Sequence, residues 1–148
     1  MKLQLKRKKA FISGSTKGIG FSIAKNLYEE GADVIINGRT ESKVRKSVQK
    51  LSKLSGGSVE GIAADFSDTN QVQSIIDRFP SIDILINNVG FFEPKGFSDI
   101  SDQDWFKIFE VNVLSGIRLS RYYLSKMLDK DWGRIIFISS ESAMNIPE

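Results

Sequence analysis

A glycine-rich turn that follows a short apolar run constrains the fold of this chain more than any other feature. The run at residues 10–12 has the composition of a buried strand, and Gly14, Gly18 and Gly20 follow it. Glycine permits a sharp turn and leaves no Cβ atom to keep a phosphate away from the backbone. Apolar residues at helical spacing begin at Ile19, so the first turn of a helix would add free N–H groups and a partial positive charge. The sequence therefore predicts a strand–turn–helix unit that holds a pyrophosphate.

Short apolar runs and longer amphipathic runs alternate along the rest of the chain. The short runs are apolar throughout, as in strands that are covered on both faces. Strands that alternate with helices favour βαβ units, and right-handed crossovers then favour a doubly wound sheet. We therefore predict one α/β domain over residues 1–148, a Rossmann-type, doubly wound parallel sheet of about five strands. The predicted strands are 10–12, 34–36, 59–64, 82–86 and 134–138, and the predicted helices run from 19 to a stop at Gly31 and over 41–54, 70–79 and 102–128.

The composition argues against several classes of function. The chain has no Cys and no His, which excludes thiolate nucleophiles, disulfides and zinc–thiolate sites and argues against hydrolase triads; no metal site is expected. A net charge of +3 in 148 residues implies neither a nucleic acid nor an anionic membrane as partner. The basic run at residues 6–9 is either a solvated strand entrance or a phosphate-binding arm. Because no N-terminal apolar stretch is long enough for a signal peptide or a membrane span, we expect a cytoplasmic protein.

The end of the second predicted strand indicates which dinucleotide binds. Sites for NAD place an acidic residue there, which accepts hydrogen bonds from the ribose 2′-hydroxyl. This strand ends in Asn37-Gly38-Arg39-Thr40, without a carboxylate, and Arg39 can bind a 2′-phosphate through charge-assisted hydrogen bonds. Lys17 in the turn adds a second cation. We therefore expect NADP(H) to be preferred and NAD(H) to be possible, with two solvated surface cations as the alternative.

Five motifs mark the predicted strand ends and one helix. They are the turn from Ser13 to Gly20, Asp65-Phe66, Asn87-Asn88-Val89-Gly90, Asn112 and Ser140. Their order and spacing resemble the short-chain dehydrogenase/reductase family over the whole chain, with Ser replacing the family's Thr in the turn and Val replacing Ala in the Asn-Asn-Ala-Gly motif. The resemblance implies a carbonyl or alcohol oxidoreductase with a small-molecule substrate, a homo-oligomer for the complete family member, and catalytic roles for Ser140 and Asn112. Together with Lys17 and Arg39, which the charge argument supplies, the expected cofactor contacts are Gly14, Ser15, Thr16, Gly18, Ile19, Gly20, Asp65, Phe66, Asn88 and Gly90.

Each motif also has a simpler structural interpretation. Asp65 could cap the turn into the next helix, and Ser140 could be an ordinary strand-end hydroxyl. The resemblance suggests that Asn87 joins neighbouring strands while Asn88 faces the cofactor. Asn112 lies in mid-helix, where Asn is mildly unfavourable, and this favours a retained polar role.

The resemblance further implies a Tyr-x-x-x-Lys pair after Ser140, in which the Lys lowers the pKa of a Tyr that protonates the developing alkoxide. The 148 residues contain no such pair after Ser140. Tyr122 and Lys126 have the right spacing, but they precede Ser140 on the helix that carries Asn112. We expect these two residues to belong to a helix surface or a subunit contact.

Two functions are left open by these observations. The chain is either the cofactor-binding part of an oxidoreductase, inactive by itself, or a non-catalytic dinucleotide-binding pseudoenzyme. In both cases we expect a C-terminally truncated domain in which the fifth strand is an uncovered edge. The long helix would then expose Ile117, Leu124 and Leu128.

Overall fold

The computed structural model describes residues 3–140, in which five strands alternate with helices along the chain. The strands are β1 (Lys9–Ile12), β2 (Asp33–Gly38), β3 (Val59–Ala63), β4 (Ile84–Asn87) and β5 (Arg134–Phe137). The α-helices are α1 (Gly18–Glu29), α2 (Glu41–Leu51), α3 (Thr69–Arg78), α4 (Asp102–Phe109) and α5 (Ser115–Leu128). A short 3-10 helix covers Phe97–Asp99, and a π-helical turn covers Glu110–Leu114.

The strands form one sheet in the order β3-β2-β1-β4-β5, and every neighbouring pair is parallel. Phe11 at the centre of β1 lies beside Ile35 of β2 and Leu85 of β4. The strand order reverses direction at β1, so the crevice beyond the carboxyl ends of β1 and β4 is the topological switch point, where ligands bind in open α/β sheets. The predicted doubly wound parallel sheet of about five strands is confirmed.

Both faces of the sheet are buried around β1. Successive side chains of a strand point to opposite faces, so each central strand contributes residues to both cores. Phe11, Ile35 and Leu85 pack with α3 and α5 on one face. On the other face, Ile12 and Ile36 pack with α1 and α2. This explains why the strand runs are apolar throughout.

The edge strand β5 is much less covered. Ile136 and Phe137 are 45% and 56% exposed. An apolar hollow of about 530 Å³ lies between β5, β4 and α1, and Trp132 forms part of its wall. The expected uncovered edge and the expected exposure of the long helix are confirmed, since Ile117, Leu124 and Leu128 are 43%, 48% and 66% exposed.

The helix predicted over 102–128 is interrupted, which corrects the sequence interpretation. The π-helical turn at Glu110–Leu114 separates α4 from α5 and inserts one extra residue into the helical repeat. The other elements differ from prediction by a few residues at their ends. Gly31, with φ +89°, follows α1 as predicted and ends it in a conformation that glycine adopts most easily. Across residues 3–140, no helix has both the length and the apolar character needed to cross a bilayer.

Candidate cofactor-binding site

The predicted site residues gather at one edge of the sheet. All five strands are parallel, so their carboxyl ends lie at the same edge. The glycine turn follows β1, Arg39 follows β2, Asp65 follows β3, and Asn88 follows β4. Ser140, which is exposed, lies shortly after β5 at this edge.

The turn itself adopts conformations that depend on glycine. Gly14 and Gly18 have φ values of +60° and +57°, in the left-handed region. A Cβ built on Gly20 would lie 2.5 Å from Asn88 Nδ2 and 2.6 Å from the Gly14 carbonyl oxygen. Helix α1 begins at Gly18, and the first N–H groups of a helix have no partner within it. Lys17, Gly18 and Ile19 are exposed, so this part of the turn is open to a ligand.

Ser13 and Asn88 join the turn to the end of β4. The buried Ser13 hydroxyl accepts the N–H groups of Asn88 and Val89, each at 2.9 Å, and donates to the Ile86 carbonyl at 3.3 Å. The Asn88 side-chain nitrogen donates to the Ser13 carbonyl at 3.0 Å and to the Gly14 carbonyl at 3.1 Å. Asn88 therefore holds the turn in place, and it is also partly exposed.

The suggested role of Asn87 needs correction. Its side-chain nitrogen donates to the Ser120 hydroxyl at 3.2 Å, so it links β4 to α5. The side chain that joins neighbouring strand ends is that of Asn88. Adjacent residues of a strand point to opposite faces of the sheet, so the two Asn side chains must have different partners. The motif alone does not show which Asn faces the helix and which faces the turn.

Ser15 lies underneath the turn. It is fully buried, its hydroxyl donates to the Ile12 carbonyl at 2.7 Å, and it accepts the Asn37 N–H at 2.9 Å. Its own N–H donates to the Asn37 carbonyl at 2.8 Å. The hydroxyl and the N–H of Ser15 are thus both used within the protein. Thr16 is partly exposed, and its carbonyl accepts the Ser47 hydroxyl of α2 at 3.0 Å.

Asp65 and Phe66 take different positions although they are adjacent. The Asp65 carboxylate accepts the N–H and the hydroxyl of Ser67, at 2.9 and 2.8 Å. The bond from the Ser67 amide, helped by its hydroxyl and by the charge of Arg39, holds the pKa of the Asp65 carboxyl below its usual value. Asp65 thus shapes the approach to α3, whereas Asp68 caps that helix. Phe66 is 2% exposed and its side chain lies in the core, so the structure does not present it to a ligand.

Asn112 lies in the π-helical turn and binds the loop after β4. Its Oδ1 accepts the Phe91 N–H at 2.6 Å, and its Nδ2 donates to the Phe91 carbonyl at 2.9 Å. A Cβ built on Gly90 would lie 4.0 Å from Asn112 Oδ1. Asn112 therefore lies next to Gly90, one of the residues predicted to contact the cofactor.

Tyr122 and Lys126 lie elsewhere, on α5. The Tyr122 ring packs edge-on against Tyr123, with 5.1 Å between ring centres, and it contacts the core on the α3 face of the sheet. Lys126 is exposed. Lys126 therefore lies on the helix surface as expected, whereas Tyr122 is half-buried against the core.

Comparisons with known proteins extend over almost the whole chain. A family model described as short chain dehydrogenase matches residues 8–147. The chain is 48% identical over 145 residues to the uncharacterized oxidoreductase YvaG of Bacillus subtilis, a match that covers 97% of this chain and 55% of that protein. The chain therefore spans about half the length of the curated relatives it matches.

Solved structures agree with this family in fold. L-sorbose reductase from Gluconobacter frateurii, complexed with NADPH and L-sorbose, is 28% identical with a TM-score of 0.89; the match covers 98% of this chain and 57% of that one. A 7 alpha-hydroxysteroid dehydrogenase complexed with NADH is 29% identical, also with a TM-score of 0.89, over 99% of this chain and 58% of that one. The two neighbours carry different dinucleotides.

Proposed function

The chain belongs to the short-chain dehydrogenase family, and from this premise we propose that it is the nucleotide-binding part of an oxidoreductase that prefers NADP(H) to NAD(H). Its substrate would be a small carbonyl compound or alcohol. The part of the turn from Lys17 to Gly20, of which residues 17–19 are exposed, would hold the pyrophosphate, and Arg39 would hold the 2′-phosphate. The nicotinamide, when bound, supplies or accepts a hydride. A cytoplasmic location and a homo-oligomer of the complete protein are part of the same proposal.

The tip of β2 is the observation that carries the cofactor preference. Gly38 stands where NAD sites place their carboxylate, and a Cβ there would lie 2.5 Å from Thr16 Cγ2. The packing of the turn against β2 thus disfavours a side chain at this position. Arg39 follows directly and is exposed, as is Lys17. Two cations and no carboxylate at the tip favour a ligand with an additional phosphate.

Asp65 carries an opposing charge near Arg39. Hydrogen bonds from Ser67 and the charge of Arg39 hold the pKa of the Asp65 carboxyl below the usual value, which favours the ionised form. The two hydrogen bonds from Ser67 direct the carboxylate into its own turn. Among residues 3–140, no ion pair within 4.0 Å joins Arg39 to a carboxylate, so its donors are left for a phosphate, which binds guanidinium in the same bidentate manner as a carboxylate.

The preference can be measured by titrating the chain with NADPH and NADH and following nucleotide fluorescence. We expect NADPH to bind more tightly, and Arg39→Asp to weaken NADPH by about ten- to hundredfold, as the loss of hydrogen bonds to a charged group implies. Arg45→Asp is the matched control, since Arg45 is exposed on α2 and undergoes the same change of charge. Equal binding of NADH and NADPH, or an unchanged ratio in Arg39→Asp, would contradict the preference.

We also propose that these 148 residues hold the cofactor without turning it over. The proposal gives Ser140 and Asn112 catalytic roles, as the family resemblance implies, but these 148 residues contain no Tyr-x-x-x-Lys after Ser140. The alternative is a non-catalytic dinucleotide-binding pseudoenzyme. NADPH oxidation with a panel of carbonyl substrates tests the first statement, and cofactor-dependent turnover by this chain would refute it. DNA sequence downstream of codon 148 separates the two functions, since a Tyr-x-x-x-Lys there supports the oxidoreductase.

A further inference from the structure

We propose that Asn37, at the end of β2, is a positioning residue that sets the geometry of the glycine turn for the pyrophosphate. This inference rests on the proposed function for its ligand, but the contacts that carry it lie within the protein. Asn37 is 1% exposed, and a buried amide side chain is costly unless its donors and acceptor are satisfied.

The Asn37 side chain is fully used at the junction of three strand ends. Its Oδ1 accepts the Gly14 N–H at 3.0 Å. Its Nδ2 donates to the carbonyls of Ile62 and Ala64 at the end of β3, each at 3.3 Å. One side chain thus connects the turn after β1 to β3 across β2, which lies between them in the sheet.

The main chain of Asn37 reinforces the same connection. Its N–H donates to the Ser15 hydroxyl at 2.9 Å, and its carbonyl accepts the Ser15 N–H at 2.8 Å. The N–H groups of Gly14 and Ser15 are therefore both directed at Asn37 and away from a ligand. The N–H groups left to face a phosphate are those of the first turn of α1, and their direction depends on how Gly14 and Ser15 are held.

Only a carboxamide meets both demands at this position. An aliphatic side chain of similar size would leave the Gly14 N–H and the two β3 carbonyls without their partner. Aspartate would keep an acceptor for Gly14, but its second oxygen would face the carbonyls of Ile62 and Ala64. One residue thereby holds the turn against the end of β3.

Hydrogen exchange in the ligand-free chain tests the contact directly. In Asn37→Ala, we expect the Gly14 amide to exchange about tenfold faster than in the wild type, which corresponds to one lost hydrogen bond. In Asn37→Asp, which keeps the acceptor for the Gly14 N–H but loses the bonds to β3, we expect a smaller increase in Gly14 exchange than in Asn37→Ala. Tyr123→Phe is the control, because it removes one buried bond, from the Tyr123 hydroxyl to the Phe79 carbonyl at 2.8 Å, on the α3 face of the sheet. Unchanged Gly14 exchange in a folded Asn37→Ala protein would overturn the proposal.

Ligand binding then separates positioning from simple stabilisation. Adenosine 2′-monophosphate carries the adenosine and the 2′-phosphate but no pyrophosphate, so it does not need the turn. We expect Asn37→Ala to weaken NADPH at least about fivefold more than it weakens adenosine 2′-monophosphate, and Tyr123→Phe to leave the ratio unchanged. Equal weakening of both ligands would mean that Asn37 only stabilises the fold and would overturn the proposal. If the wild-type chain bound neither ligand, the proposed function would fail, while the exchange experiment would still decide the role of Asn37.

Discussion

Replacing Gly20 with Ala tests whether the turn and Asn88 are packed as closely as the structure shows. Gly20 lies inside α1, and Ala is favoured over Gly in a helix by up to about 1 kcal/mol. A Cβ at this position would lie 2.6 Å from the Gly14 carbonyl oxygen and 3.0 Å from Ser15 Cα, both backbone atoms of the turn. Overpacking of this kind costs about 1–3 kcal/mol, and displacing Asn88 also weakens its bonds to Ser13 and Gly14. The cost of the clash exceeds the gain in helix propensity, so we expect the free energy of unfolding of Gly20→Ala to be about 1–2 kcal/mol lower than that of the wild type.

Gly18 supplies the matched control, because its constraint is conformational. A Cβ there meets nothing within 4 Å, but φ is +57°. Since Asn tolerates the left-handed region better than Ala, Gly18→Asn should be more stable than Gly18→Ala. At Gly20 the order should be reversed, since the larger side chain adds to the clash. Urea denaturation gives the free energy of unfolding for all four variants. A Gly20→Ala protein as stable as the wild type, with unchanged NADPH affinity, would refute the reasoning.

Two further outcomes follow from surface contacts. Hydrogen bonds from Lys95 and from Ser101 lower the pKa of Asp104 from 3.8 to about 2. The stabilisation by this capping carboxylate is therefore complete above about pH 4 and is lost as the pH falls toward 2. In Asp104→Asn, the midpoint of urea unfolding should depend less on pH over that range. Leu124 and Leu128 are 48% and 66% exposed, so we expect this apolar face of α5 to promote self-association. Leu124→Lys combined with Leu128→Lys should leave the free energy of unfolding nearly unchanged and should reduce self-association in sedimentation velocity. Unchanged self-association would contradict this expectation.

The fold could be predicted because its signals are local. Continuous apolar runs mark strands that are buried on both faces, and glycines mark the turn and the end of α1. The π-helical turn at Glu110–Leu114 could not be predicted in this way. It shifts the helical pattern by a single residue, and amphipathic residues continue on both sides of it, so the sequence still resembles one long helix.

The site could be predicted in outline but not in its contacts. The motifs located the correct edge of the sheet, yet they did not show which groups face outward. Ser15 and Phe66 belong to the predicted cofactor contacts, and the structure places both side chains in the interior. Asn37 was missed as a contact residue, although a polar residue at the end of an apolar strand was a visible signal. Its role depends on three strand ends that meet only in the folded chain.

The network beneath the glycine turn has a consequence for the kinetics of binding. Ser13, Ser15, Asn37 and Asn88 fix the turn through contacts within the protein. On the proposed function, a dinucleotide therefore meets donors whose directions were set during folding, and little ordering remains for the encounter. Association is then governed by diffusion and by the field of exposed cations, so its rate should fall as salt is added. The difference in affinity between NADP(H) and NAD(H) should therefore lie mainly in their dissociation rate constants.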